Sequence, residues 1–507
     1  MAARKRTPQG HGKKGANPQG PVPLSTLVDN DEVLAQRASR LSERVVFTVT
    51  TKTRSGTPLQ LTEDLSSKQA LDRVRPDLDA AESAIRRLET EGFLVLHRGR
   101  FSLTAQGPSE LVSRVLDTPL RLHRRPAPLS ANGLMELAAP RVRPTDLYLA
   151  PLSLTANARH LDESIDHFVF TPPPLYFSEP SPTAPVPSFA VVTVETMRKL
   201  LAVTADAGRG AGIKVAMIDN GFFPHPYFAE NHYKLTVLDS PGVPPGNEMV
   251  DDSGHGTAMA TNVFSLAPDV ELIGIKNSPT PSAAVEVAVE SGARILTCSW
   301  GWDREQSFPV LEATLRDAVV SDGLVLLFAS GNGQRAWPGS MPEVLSIGGV
   351  YADLENGDAL QASNYASGFC SDLYPHRLVP DFCGLCGQQP SGIYIPMPTQ
   401  PGSEVDARYG GEPFPYCDET EKTDGWIVAS GTSSAAPQIA GVVALLLERA
   451  AQKGKTLSPE DIRKLLASSA TAVTTGRNAF HFPASDKVPN IACGYGLVNA
   501  QQALAGI

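Results

Sequence analysis

Several things are scarce in this chain of 507 residues, and each scarcity narrows what it can be. No apolar run approaches the ~20 residues of a membrane span. The longest candidates, such as Ile439–Leu447, are core-sized, so no membrane partner is expected. The N-terminus, Met1–Lys14, is basic and rich in Gly and Pro but lacks the apolar segment of a secretory signal. It reads as a disordered tail, with the cytoplasm as the expected compartment. Positive charge is also in deficit: 44 Lys and Arg stand against 54 Asp and Glu, a net −10. That disfavours nucleic acid as the main partner.

Cysteine is sparse as well. All six (Cys298, Cys370, Cys383, Cys386, Cys417 and Cys493) lie in the C-terminal part. Cys383-Gly384-Leu385-Cys386 has a zinc-compatible spacing that Cys370 and Cys417 could complete, but no second such pair exists. Reduced, partly buried thiols are the expected state, zinc and disulfides the alternatives, and no metal is assigned. What is plentiful is apolar residues, at 42%, enough to bury a large sheet. The length is too great for one core, so two or more domains are expected.

Three motifs carry the chemistry. Gly431-Thr432-Ser433-Ser434-Ala435-Ala436-Pro437 opens a long apolar run, which puts Ser433 at the start of a buried helix with the free N–H groups of the first turn around it. Pro437 is expected in that first turn, where a missing N–H costs little. Upstream, Val215–Ile218 reads as a buried parallel strand with Asp219 at its C-terminal tip, where open α/β sheets assemble their sites. Between them, Ser253-Gly254-His255-Gly256-Thr257 sets a histidine among glycines before helix-compatible residues. Alone, each residue has an ordinary reading as a helix cap, a turn or a surface histidine. Together, an acid, a base and a nucleophile in the order Asp, His, Ser resemble the subtilisin-like serine peptidases, or subtilases.

The resemblance implies roles. His255 takes the Ser433 proton and passes it to the leaving amine, and Asp219 orients the imidazole. Ser330-Gly331-Asn332-Gly333 follows the strand Leu324–Ala329, and Asn332 matches the family's donor to the oxyanion. Ser299-Trp300-Gly301 and Ser330-Gly331 match the two walls of the primary specificity pocket. Trp300 either lines that pocket or points into the core. Asn220 stands where the family most often has Ser or Thr, and its amide is expected to donate to the Asp219 carboxylate. His255 and Asn332 separate the chain from the sedolisins. No cofactor is required. Calcium, common in the family, has candidate acids in Asp251-Asp252 and in Glu404, Asp406, Asp418, Glu419, Glu421 and Asp424.

Residues 1–40 read as tail and 41–126 as a compact module. Arg44–Thr51 is a strand, Ser66–Glu91 is helical with a break at Pro76, and Gly92–His97 with Arg100–Thr104 makes a hairpin. Ser109–Leu116 is a helix and Leu120–Arg124 a last strand. That β-α-β-β-α-β order is ferredoxin-like and resembles a subtilase propeptide, which folds and then inhibits its peptidase. The strand near Leu120–Arg125 is expected along the cleft. A rival reading is the helix and wing of a DNA-binding module, with arginines 86, 87, 98 and 100 on phosphates.

Residues 127–192 are proline-rich and read as an exposed linker. From residue 193 to 507, strands and helices alternate as in a doubly wound, mainly parallel α/β sheet, interrupted by a Pro-, Gly- and Cys-rich insertion at 365–425. The closing Gly494-Tyr495-Gly496-Leu497-Val498-Asn499-Ala500 resembles the family's final motif. The expectation is an endopeptidase made as a self-inhibited zymogen, acting on protein or peptide substrates. The alternative is an inactive or permanently capped regulatory protein.

Overall fold

A computed structural model describes residues 39–59, 65–124, 147–176, 190–389, 392–410 and 420–507. The basic tail and Cys417, Asp418 and Glu419 lie outside them.

The C-terminal part is built on an eight-stranded sheet. Its strands in chain order are β10 (Lys214–Asp219), β11 (Lys234–Leu238), β12 (Glu271–Lys276), β13 (Ile295–Cys298), β15 (Val325–Ala329), β16 (Leu345–Asp353), β17 (Ala359–Ala362) and β20 (Phe382–Leu385), with the two-residue β14 (Trp300–Gly301) outside it. The order in the sheet is β11-β12-β10-β13-β15-β16-β17, all pairs parallel except the last. Strands such as Val325–Ala329 are buried along their whole length, because helices cover both faces of the sheet. One face takes the helices Pro281–Glu290 and Pro309–Val320. The other takes His255–Leu266 and the long helix Thr432–Gln452.

The stretch 365–425 is only partly an insertion. The short pair β18 (Phe369–Cys370) and β19 (Leu378–Val379) is peripheral, but β20 (Phe382–Leu385) is a core strand, parallel to β16 and fully buried. The added material is β21 (Ile393–Pro398), which pairs with β22 (Trp426–Ala429) and lies over the His255 helix.

The N-terminal module has helices Lys68–Val74 and Leu78–Glu91, separated at Arg75-Pro76, because proline cannot continue the first. Its strands are β1 (Val45–Thr51), β2 (Leu94–Arg98) and β3 (Leu103–Gly107), then β4 (Arg121–Arg124), β5 (Leu147–Ala150), β6 (Thr155–Asn157) and β7 (Ile165–Val169), whereas the following β8 (Leu175–Tyr176) and β9 (Ala190–Val191) pair with β14 and β21 of the C-terminal part. The sheet order is β2-β3-β1-β7-β6 with antiparallel neighbours. Two expectations fail here. The strand at 121–124 is not in this sheet but pairs with β5, and residues 155–169, read as linker, supply its edge. The reason is apolar content: Ile165 and Phe168 are fully buried, Phe168 stacking on Phe47 at 4.5 Å, whereas Leu122 is 43% exposed.

The module sits on the two outer helices of the C-terminal part. Leu71, Val74 and Phe101 pack with Val310 and Ala313. Arg75 and Arg100 donate to Asp317, and Arg100 also to Asp322. His97 Nε2 and the Arg100 N–H meet Glu286 at 2.7 and 2.8 Å. Arg100, suggested for phosphates under the DNA-binding alternative, is instead neutralised by carboxylates of the same chain.

Candidate active site

Three neighbouring strands, β10, β13 and β15, deliver Asp219, Ser299 and Ser330 from the same edge of the sheet. Asp219 is the last residue of β10 and fully buried. His255 is the first residue of its helix, and Gly254 before it holds φ 81°, a conformation that favours glycine. A side chain at Gly254 would also meet Thr399 Oγ1 at 2.1 Å. The result is a bond of 2.8 Å between His255 Nδ1 and Asp219 Oδ1, with the two side chains 4% and 0% exposed. With Nδ1–H donated to the carboxylate, Nε2 carries the lone pair, and it is buried with no hydrogen-bond partner.

Asn220 departs from its expected role. Its main-chain N–H donates to Asp219 Oδ1 at 2.8 Å, while its side-chain amide donates to Ser253 Oγ at 2.7 Å. Ser253 Oγ in turn accepts the His255 N–H. The amide thus braces the histidine loop rather than the aspartate.

Ser433 is the second residue of the helix Thr432–Gln452, after Gly431 at φ 152°. Pro437 lies beyond the first turn, contrary to expectation. Its missing N–H would have bonded the Ser433 carbonyl four residues back, and Ser299 Oγ donates to that carbonyl at 2.8 Å instead. Ser433 Oγ donates to Ser299 O at 3.3 Å. Both Ser433 and His255 line one apolar cavity, closed by Met259, Met397, Val405 and Ile427.

Asn332 Oδ1 accepts from the Thr432 N–H at 3.1 Å and from Thr432 Oγ1 at 2.9 Å. With its oxygen so held, the amide NH₂ is fixed in direction. Thr432 was missed as a site residue, though its place next to Ser433 was a signal. Ser330 Oγ donates to Ser367 O, and Gly331 O accepts the Ser367 N–H, so this wall is braced from behind. Trp300 resolves toward the core: it is fully buried and its Nε1 donates to Ile218 O at 2.7 Å. Its backbone and that of Gly301 pair with β8, so the cleft strand is Leu175–Tyr176 and not the segment near Leu120–Arg125.

Two of the acids proposed for calcium, Asp251 and Asp406, are engaged in hydrogen bonds within the fold. Asp251 is fully buried, and its carboxylate accepts from the N–H groups of Gly254 and Thr257 and from Thr257 Oγ1. Burial outweighs these bonds and pushes its pKa to about 6. Asp406 accepts the N–H groups of Gly402 and Gly425. Among the described residues no cluster of three or more His, Cys, Asp or Glu could hold a metal, and Asp418 and Glu419 of the second acidic group lie outside them. Cys383 and Cys386 are buried thiols donating to Cys493 O and Tyr365 Oη. No helix among the described residues is long and apolar enough to cross a membrane.

An acid–imidazole pair and a helix-start serine on an α/β sheet define a serine hydrolase class, and the comparisons narrow it. A profile of the subtilase family matches residues 210–496, so the chain belongs to the subtilase family. Serine protease AprX of Bacillus subtilis (strain 168) is 27% identical over 337 residues, covering 59% of this chain and 67% of AprX. M-protease of Shouchella clausii (strain KSM-K16) is 26% identical over 318 residues, covering 58% of this chain and 64% of that protein. The matches thus span about two thirds of these relatives' length. Among solved structures, fervidolysin from Fervidobacterium pennivorans, a keratinolytic enzyme related to subtilisin, superimposes with a TM-score of 0.53 at 16% identity. That likeness covers 92% of this chain and 61% of the other and shows the fold.

Proposed function

We propose that the protein is a serine endopeptidase whose triad is Asp219, His255 and Ser433, with Asn332 as oxyanion donor. It is made as a precursor capped by its own N-terminal module. The observation that carries the reading is the buried 2.8 Å bond from His255 to Asp219, with His255 and Ser433 lining one cavity. Serine is a weak nucleophile at neutral pH and needs such a base. His255 Nε2 takes the hydroxyl proton as Oγ attacks, Asp219 stabilises the imidazolium, and the proton goes to the leaving amine. Charge on the carbonyl oxygen falls beside the Asn332 amide and the N–H groups at the start of the Ser433 helix. Substrate is bound as a strand on β14, along the walls Ser299–Gly301 and Ser330–Gly331.

The cap has two supports: the ion-paired docking of the module on the outer helices, and β8 lying on β14. The test is fluorophosphonate labelling of the purified chain, before and after limited tryptic nicking, beside a Ser433→Ala variant. Labelling that needs Ser433 and rises after nicking is expected. Equal signal in both proteins sinks the enzyme reading and leaves a capped binding protein.

A further inference from the structure

We infer that Thr399 and Gln400 are positioning residues for His255, gripping from outside the four residues that lead into it. The role rests on the endopeptidase reading above and falls on residues outside the Asp, His and Ser motifs.

His255 opens its helix, so the approach to it, Asp251 to Gly254, is irregular backbone whose polar groups need partners from elsewhere. Each of the four finds one in the stretch 399–405. The Asp251 N–H donates to Gln400 Oε1 at 2.8 Å. The carbonyls of Asp252 and Ser253 accept the N–H groups of Glu404 and Val405 at 2.9 and 3.1 Å. Thr399 Oγ1 donates to the Gly254 carbonyl at 2.7 Å. The helix itself serves that carbonyl poorly, since the Ala258 N–H reaches it only at 3.4 Å. Packing is equally close: a side chain on Gly254 would stand 2.6 Å from Val405 Cγ2.

The grip is held in turn. Thr399 follows directly on β21, and its N–H donates to Gly425 O at 2.7 Å. The Ser403 N–H donates to Gln400 O at 3.0 Å. The buried Asp406 carboxylate, accepting from the N–H groups of Gly402 and Gly425, closes the stretch against the start of β22. Two holds therefore act on the histidine approach. From inside, the Asp251 carboxylate binds Gly254 and Thr257. From outside, residues 399–405 bind the backbone. Together they fix where the imidazole stands between Asp219 and Ser433. A reacting group displaced by about 1 Å can cost about 10²-fold in rate.

The test uses the full chain after the limited nicking described above, with a fluorophosphonate as probe. Ser433 attacks its phosphorus as His255 takes the hydroxyl proton, so the labelling rate reports the base. Thr399→Val and Gln400→Ala are each expected to lower the maximal labelling rate about tenfold, one hydrogen bond's worth of positioning. The probe concentration at half that rate should stay within about twofold, because ground-state binding is untouched. Thr399→Ser keeps the hydroxyl and should label within about twofold of wild type. The final labelled fraction counts competent sites, so a rate per labelled site separates positioning from lost fold. Gln400 is half-buried, and Gln400→Ala decides if Thr399→Val does not fold. An unchanged rate per site, a change confined to the half-saturating concentration, or a Thr399→Ser variant as slow as Thr399→Val overturns the proposal. Wild type that takes no label at Ser433 overturns the endopeptidase reading instead.

Discussion

Ser299 and Ser433 exchange two hydrogen bonds across the active site. Ser299 Oγ donates to the Ser433 carbonyl at 2.8 Å, and Ser433 Oγ donates to the Ser299 carbonyl at 3.3 Å. The first exists because Pro437 withholds the helical N–H that this carbonyl would otherwise accept. Ser433 is thereby tied to the tip of β13 as well as to its own helix. Ser299→Ala leaves a buried carbonyl without its donor, at a cost of ~1–3 kcal/mol. Urea unfolding is expected to register that loss, and kcat to fall with KM nearly constant. An unchanged kcat refutes the positioning role.

Asn332→Ala is expected to lower kcat by about 10²–10³ with little change in KM, since its amide meets charge that develops in the transition state. Thr432→Val removes one of the two donors that hold Asn332 Oδ1. A loss of about tenfold is expected, one hydrogen bond's worth of positioning. Steady-state kinetics on one peptide substrate checks both. A raised KM with unchanged kcat means Asn332 binds ground-state substrate instead.

Trp300 is a core residue that lends only its backbone to the cleft. Trp300→Ala should destabilise the protein by about 3–5 kcal/mol, the range for emptying a large aromatic site. Denaturant unfolding measures this directly, and the ranking of peptide substrates should stay the same for whatever fraction is folded. A shifted ranking at full stability would place the indole in the substrate pocket.

Docking of the N-terminal module should weaken as pH rises. The hydrogen bond to Glu286 raises the pKa of His97 above its usual 6.5, with Glu290 adding to the effect and burial opposing it. A pKa raised in the docked state means docking takes up a proton. The stabilisation is complete below about 6.5 and is lost as pH climbs through the raised value. In the cleaved but still associated enzyme, inhibition should therefore relax between neutral and mildly alkaline pH. His97→Gln should flatten that dependence. A pH profile identical to wild type removes His97 as its source.

The three residues proposed as the triad were legible because each sits in a short segment with local geometry of its own: a strand tip at Asp219, a glycine-flanked helix start at His255, another at Ser433. The doubly wound sheet was legible for a related reason, since strands covered on both faces must be apolar throughout. The break at Pro76 likewise follows from proline's missing N–H alone. The short strand at 121–124 shows the limit. Its length and turn context suit an edge of the module sheet, yet Ile165 and Phe168 bury more apolar surface against Phe47 and take that place.

Asp219, His255, Ser433 and Asn332, and the α/β class around them, were thus determined by the sequence itself, through local propensity and apolar period. Tertiary structure alone decided what surrounds them. It turned Asn220 to the histidine loop, gave Thr432 to Asn332, sent Trp300 inward, and laid Leu175–Tyr176 rather than β4 on the cleft. Each of these is a choice among partners far apart in the chain. Such choices are settled by which pairing leaves the fewest buried polar groups unpaired and the least apolar surface exposed, a comparison no local segment contains.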